Sequence, residues 1–176
     1  MHKKLPVFAT LFVAFVFLQA HTLAQTKNMM TEKINNADSA KGIIIHQSAW
    51  FKVPPARVYS TLLSSSAFSA CTKKSFDMFT ASSAKIDSVV GGTFSVFDGH
   101  IIGRILELVP NLRVVEAWRV VDWPAGVYSI ARFDLSSEGG GTRVTFEHIG
   151  FPEGLKDHLS IGWQEHYWDA MTNYFQ

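Results

Sequence analysis

From residue 43 to residue 149 the chain reads as short apolar runs, several of them alternating with a period of two. Only the last stretch changes to intervals of three and four. Ile43 to Phe51 is a β-branched and aromatic run stopped by Pro54 and Pro55, which predicts a first strand. Pro55 suits the first turn of a helix, where its missing N–H has no intrahelical partner anyway. Val58, Tyr59, Leu62 and Leu63 follow at helical spacing. A second short helix or turn is expected around Ala67 to Cys71. Strand-like runs then cover Thr93 to Phe97, His100 to Val109, Arg113 to Trp123, Val127 to Ser136 and Thr142 to Ile149. Gly91-Gly92, Asp98-Gly99, Pro110-Asn111, Pro124 to Gly126 and Gly139 to Gly141 separate them, and tight connections favour these residues. Consecutive strands with short links predict an antiparallel meander.

The period also predicts which face is buried. Val127, Ser129, Ala131, Phe133 and Leu135 form one set of their strand, with Arg132 and Asp134 in the other; Val144, Phe146 and His148 form the inward set of the last strand. Arg113 to Trp123 has apolar residues on both faces. With Trp118 inward, Glu116 follows it toward the interior. After Phe151-Pro152, Leu159, Trp163, Tyr167, Ala170 and Tyr174 recur at helical intervals and predict a helix over roughly the last twenty residues. Such a helix needs a broad apolar surface, and the concave side of the meander supplies it. The expected fold class is therefore α+β, a curved antiparallel sheet wrapped around a long C-terminal helix, with two short helices after the first strand.

Composition narrows the functions open to this fold. Hydrophobic residues make up 47% of the 176 and charged residues 18%, with fourteen Phe and five Trp, so the aromatics must be buried in a globular core. A net charge of +1 leaves no basic stripe, which sets nucleic acid aside. Lys3 and Lys4, an apolar stretch from Leu5 to Leu18, and Thr22-Leu23-Ala24 before Gln25 read as a cleavable secretory signal over residues 1–24, cut after Ala24. The expectation is a secreted or periplasmic protein with no stable membrane insertion after cleavage. An uncleaved anchor, or a cytosolic start at Met29 or Met30, are the alternatives. Residues 25–41 are mostly polar and read as a flexible linker, with the domain covering 42–176. Cys71 is the only cysteine, so stability rests on packing rather than on an internal disulfide.

Catalytic and metal chemistry is thin. His158 with His166, His148 with Glu147, and Asp98 with His100 lack diagnostic metal-ligand spacing, and no metal or cofactor is expected. No G-x-S-x-G elbow occurs, Cys71 sits among small and polar residues, and the glycine clusters lack the lysine of a phosphate loop. What remains is an inward polar set of His148, Glu116, His166 and Tyr167. Such groups either satisfy one another or orient a ligand.

Several short stretches carry a resemblance. They are Pro54-Pro55-Ala56-Arg57-Val58-Tyr59, Gly91-Gly92-Thr93-Phe94, Gly103 to Pro110 (GRILELVP), Gly140-Gly141-Thr142-Arg143-Val144, Gly162-Trp163, and Glu165-His166-Tyr167-Trp168. Over Ile43 to Gln176 the chain resembles the START-like, or SRPBCC, superfamily, which includes the birch-pollen allergen fold. More narrowly it is similar to the family named for the activator of the heat-shock-protein-90 ATPase. The resemblance implies a helix-grip fold with a cavity between sheet and helix, and it brings no catalytic set.

The leading expectation is a carrier or sensor that binds a small apolar or amphipathic molecule in that cavity. Phe94, Trp118, Phe133, Phe146, Trp163 and Tyr167 would form its walls and His148 its orienting polar group, so that His148→Ala would weaken binding with little loss of stability. One alternative is a small enzyme using His148 and a nearby carboxylate for proton transfer. Another is a protein-interaction module for an exported client, which would expose an apolar patch around Trp50, Trp123 and Trp168.

Overall fold

The computed structural model describes residues 44–73 and 83–176; the expected export signal, the expected linker and the expected start of the domain lie outside the described residues. Ile44–Phe51 forms β1, and Pro54 in extended conformation then caps the helix α1, Pro55–Leu63, with Pro55 in its first turn. Ser64 ends α1 and starts α2, Ser65–Thr72, its hydroxyl accepting a hydrogen bond from the Ala67 N–H. The remaining strands are β2 (Lys85–Ile86), β3 (Thr93–Val96), β4 (Ile101–Val109), β5 (Arg113–Val120), β6 (Ser129–Glu138) and β7 (Gly141–Ile149). The C-terminal helix begins as α3 (Lys156–Trp163), widens into a π-helical segment (Gln164–Asp169) and ends as α4 (Ala170–Tyr174).

All seven strands join one antiparallel sheet in the order β1-β7-β6-β5-β4-β3-β2. The meander runs from β2 to β7, and β1 closes onto β7. Directly opposed residues share a face, so the register fixes rows across the concave side. One row reads Ile105, Glu116, Ala131, His148 and Ile45; the next holds Val114, Phe133, Phe146 and Gln47. The outer face carries charge instead. Glu107, Arg113, Asp134, Arg132 and Glu147 follow one another from β4 to β7 in opposite-sign contacts of 2.6 to 3.7 Å, and Glu147 lies 3.5 Å from the His46 ring on β1. These pairs are solvent-exposed and contribute little each. They keep the outer face wet while the inner face takes the helix.

The alternation predicted for β6 and β7 is realised: Ser129, Ala131, Phe133 and Leu135, and Val144, Phe146 and His148, are buried. Trp118 faces inward and brings Glu116 with it. Several boundaries move. β5 stops at Val120 rather than Trp123, because the Val121 N–H turns to the His100 carbonyl and the Trp123 N–H closes a turn onto Val120. β6 starts at Ser129, two residues later than expected. The two-residue β2 carries no period to detect and is held by side chains of α2: Ser65 Oγ accepts from the Ile86 N–H and Ser69 Oγ from the Ala84 N–H.

The C-terminal helix departs from the sequence expectation in its middle. In an α-helix consecutive residues lie about 100° apart, so Tyr167 and Trp168 would face different ways. The wider π segment turns both inward and stacks Trp168 on Trp163, five residues earlier, at 6.3 Å and 24°. Trp168 Nε1 donates to Gln47 Oε1, and Gln47 Nε2 donates to the Ser160 carbonyl, which ties β1 to the helix.

Candidate functional site

Trp163 is the hub of the interior. Its ring lies 4.3 Å from Phe146, 4.2 Å from Tyr167, 5.4 Å from Trp118 and 5.8 Å from Phe133, centroid to centroid. On one side of this hub everything polar is paired. Trp163 Nε1 donates to His148 Nδ1 at 2.9 Å, and His148 Nε2 lies 2.6 Å from Ser129 Oγ, which donates to the Trp118 carbonyl at 2.8 Å. An indole can only donate, so Nδ1 must accept and the imidazole proton sits on Nε2, directed at Ser129. Burial pushes the His148 pKa down to about 3, so the ring stays neutral.

On the other side the pairing fails. Glu116 sits in the same row as His148 with Ala131 between them, two strands and about 10 Å away across the sheet. Desolvation pushes its pKa up to about 8, and no hydrogen bond or cation among the described residues offsets it. The Tyr167 hydroxyl is held above its usual range by burial and by the neighbouring Glu116. Trp118 Nε1, itself buried, approaches that hydroxyl without completing a well-formed hydrogen bond to any described group. Glu116, the Tyr167 hydroxyl and the Trp118 N–H therefore come together in an apolar chamber, and Trp118 Nε1 is left without a well-formed hydrogen bond. A β-bulge at Leu106, between Ile105 and Glu107, bends β4 directly opposite Glu116.

Empty space lies on this side as well. A void of about 10 Å³ is lined by Glu116 together with Leu62, Phe68, Ile86, Phe94, Val96, Phe133 and Tyr167. Next to it a cleft of about 190 Å³ opens between the start of β4, the end of β5 and the C-terminal helix, lined by the aromatic side chains of Phe97, Trp118, Trp163 and Tyr167 together with His100, His158 and His166. Tyr167 lines both spaces. A wider groove of about 1010 Å³ runs past Ile102, Arg104 and Ala117, which belong to the outer side of the sheet, and is open rather than enclosed by sheet and helix.

Two backbone features hold the cleft open. Phe97 and Asp98 have φ of 52° and 55°, a conformation that costs a bulky residue on the order of 1 kcal/mol or more. The turn they form drops the Phe97 ring against Phe68 and Tyr167, at 5.7 and 5.6 Å. On the facing helix stands Gly162, inside α3, where a Cβ would meet nothing nearer than the His166 ring at 3.9 Å. Packing does not demand glycine there. The missing side chain leaves cleft.

A family model described as Activator of Hsp90 ATPase homolog 1-like protein matches residues 52–176. The chain belongs to this family. Activator of 90 kDa heat shock protein ATPase homolog 1 from Homo sapiens is 28% identical over 104 residues, covering 59% of this chain and 31% of the relative. The chain thus spans about a third of the length of the curated relatives it matches. Among solved structures, an HSP90 activator from Plasmodium falciparum aligns with a TM-score of 0.66 and 22% identity, covering 73% of this chain and 93% of that one. A protein from Chromobacterium violaceum aligns with a TM-score of 0.60 and 25% identity, covering 77% and 99%. The Aha1-like, SRPBCC-type α+β fold expected from the sequence is the one observed.

Within this Aha1-like domain the seven predicted site residues are distributed unevenly. Trp118, Trp163 and Tyr167 line the cleft, and Phe94, Phe133 and Tyr167 the void. Phe146 and His148 lie in filled core, and His148 has both ring nitrogens engaged by Trp163 and Ser129. His148 and Glu116 do not form a proton-transfer pair. Sequence reasoning missed Phe97 and Gly162 as cleft residues; a helix-interior glycine beside Trp163 was the readable signal. Of the three tryptophans that would mark an interaction patch, Trp123 and Trp168 are buried, and half-exposed Trp50 donates its indole N–H to the Glu138 carbonyl. Cys71 is buried and its thiol pushed up to about 12, which suits an inert core residue. Among the described residues no group of three metal-ligating side chains converges, and no helix is long and apolar enough to cross a membrane.

Proposed function

We propose that the domain binds a small apolar or amphipathic molecule in the cleft between the sheet and the C-terminal helix, as a carrier or sensor. The observation that carries this reading is Gly162. Glycine inside a helix costs about 1 kcal/mol relative to alanine, and nothing in the surrounding packing requires it. A position held against helix propensity to keep an aromatic cleft open fits a ligand. At about 190 Å³ the cleft is smaller than the usual 300–1,000 Å³ of drug-sized sites, so the ligand is ring-sized. With residues 1–24 read as an export signal, binding would take place outside the cytosol, apart from any cytosolic chaperone.

Native mass spectrometry of the protein purified from its own host tests this reading, alongside Gly162→Ala and Gly162→Leu. A retained small molecule in the wild type, lost in Gly162→Leu, is expected. Gly162→Ala should raise stability by about 1 kcal/mol in urea unfolding. A Gly162→Leu protein that retains the same molecule to the same extent would contradict the assignment of the cleft.

A further inference from the structure

The reading of a ring-sized ligand leaves open what the ligand must carry, and the chamber beyond Tyr167 bears on that. Glu116 is 8% exposed, sits on β5 opposite a bulge, and faces a void with room for about one oxygen atom. The lining contributed by α1, α2, β2, β3 and β6 is hydrocarbon, and Tyr167 from the helix is the one other titratable group among the described residues that line it. Burying a carboxyl without a partner is costly, and the fold gives this one none. The void and the cleft share the Tyr167 side chain as a wall, so a molecule in the cleft is separated from Glu116 by that ring.

We propose that Glu116 and the Tyr167 hydroxyl form a hydrogen-bonding end of the ligand site, selecting a neutral ring-sized molecule that carries an acceptor such as a carbonyl oxygen. This rests on the binding function proposed above. With no cation nearby, and its pKa raised to about 8, Glu116 keeps its proton at neutral pH and acts as a donor. The ligand's ring occupies the cleft against Trp118 and Trp163, and its oxygen passes the displaced Tyr167 ring into the void. A hydrocarbon of equal size leaves the carboxyl unpaired. An amine would instead draw the proton from Glu116 and become a buried ion pair.

Three probes of similar size separate these cases: acetophenone, cumene and benzylamine, titrated at pH 6.5 while the indole N–H resonances are followed by NMR. The purified wild-type protein is expected to bind acetophenone about tenfold more tightly than cumene, one hydrogen bond's worth of selectivity, and benzylamine more weakly than either. Glu116→Leu should erase the preference. Glu116→Gln, which retains a donor, should keep it within about threefold, and Tyr167→Phe should reduce it. Acetophenone affinity of the wild type should fall as pH rises through about 8 and stay flat in Glu116→Gln. Equal binding of acetophenone and cumene, or tighter binding of benzylamine, overturns the inference while leaving the cleft a ligand site. Binding of none of the three at millimolar concentration overturns both.

Discussion

His148 and Glu116 lie in one row of the same sheet, both buried and both neutral near pH 7, yet they are opposite cases. Around His148 each polar atom has a partner: Trp163 donates to one ring nitrogen, Ser129 meets the other, and the chain ends on a backbone carbonyl. Around Glu116 the carboxyl and the Tyr167 residue border an empty space lined by apolar side chains, and the Trp118 N–H close to the Tyr167 hydroxyl lacks a well-formed hydrogen bond. A satisfied buried network rigidifies a fold, whereas an unsatisfied one costs stability and persists where function uses it. The half of the interior containing His148 is structure. The half containing Glu116 has the features of a site.

The largest expected difference between the halves is in their pH linkage. The folded-state pKa of Glu116 is raised from the ordinary 4.5 to about 8. Its contribution to stability is therefore full below pH 4.5 and is lost as pH rises to 8, a change on the order of 5 kcal/mol. His148, depressed from 6.5 to about 3, has the opposite sign: stability is full above pH 6.5 and is lost as pH falls toward 3. Urea unfolding across pH 3 to 9 should show Glu116→Gln removing the loss of stability between pH 4.5 and 8 while leaving the loss below pH 6.5 that comes from His148. An unchanged profile between pH 6.5 and 8 would mean that Glu116 is not held in a desolvated site.

Next in size is removal of His148. His148→Ala deletes a fully buried ring and strands the Trp163 N–H, a loss of about 3 kcal/mol. That reverses the expectation drawn from the sequence, where the same change was to weaken binding and spare stability. Cumene affinity of the folded variant should match the wild type; a several-fold loss would return His148 to the ligand site. Smaller still is Gly103→Ala, expected to cost about 2 kcal/mol. Gly103 stands between Phe94 and Trp118 on the concave face, and a Cβ there would lie 2.3 Å from the Phe94 ring and 2.1 Å from the Ala117 carbonyl oxygen. A Gly103→Ala protein as stable as the wild type would show that the Phe94 ring has freedom to move.

Most of the scaffold was legible because it rests on local period. Alternation in β6 and β7 oriented Phe133, Phe146 and His148, and the parity of Trp118 was enough to send Glu116 inward. The π segment was not legible, since Trp168 lies off the α-helical stripe and its burial rests on tertiary contacts with Phe133, Phe146 and Gln47, the last 121 residues away. Nor could period tell a satisfied polar group from an unsatisfied one. Whether His148 or Glu116 finds partners depends on side chains supplied by other strands and by the helix, and that is tertiary geometry. The aromatic walls other than Phe97 were therefore named from sequence, and Glu116 was placed among the inward polar groups, while the fold alone showed that Glu116 rather than His148 faces the empty space.

NMR titration of the two buried groups together, with ¹³C-labelled glutamate side chains and ¹³C-labelled imidazoles, tests the division of the interior most directly. The Glu116 carboxyl carbon is expected to titrate near pH 8, and the His148 ring to remain the neutral Nε2–H tautomer down to about pH 3. A Glu116 resonance titrating near 4.5, or a His148 ring that protonates near 6.5, would contradict the account.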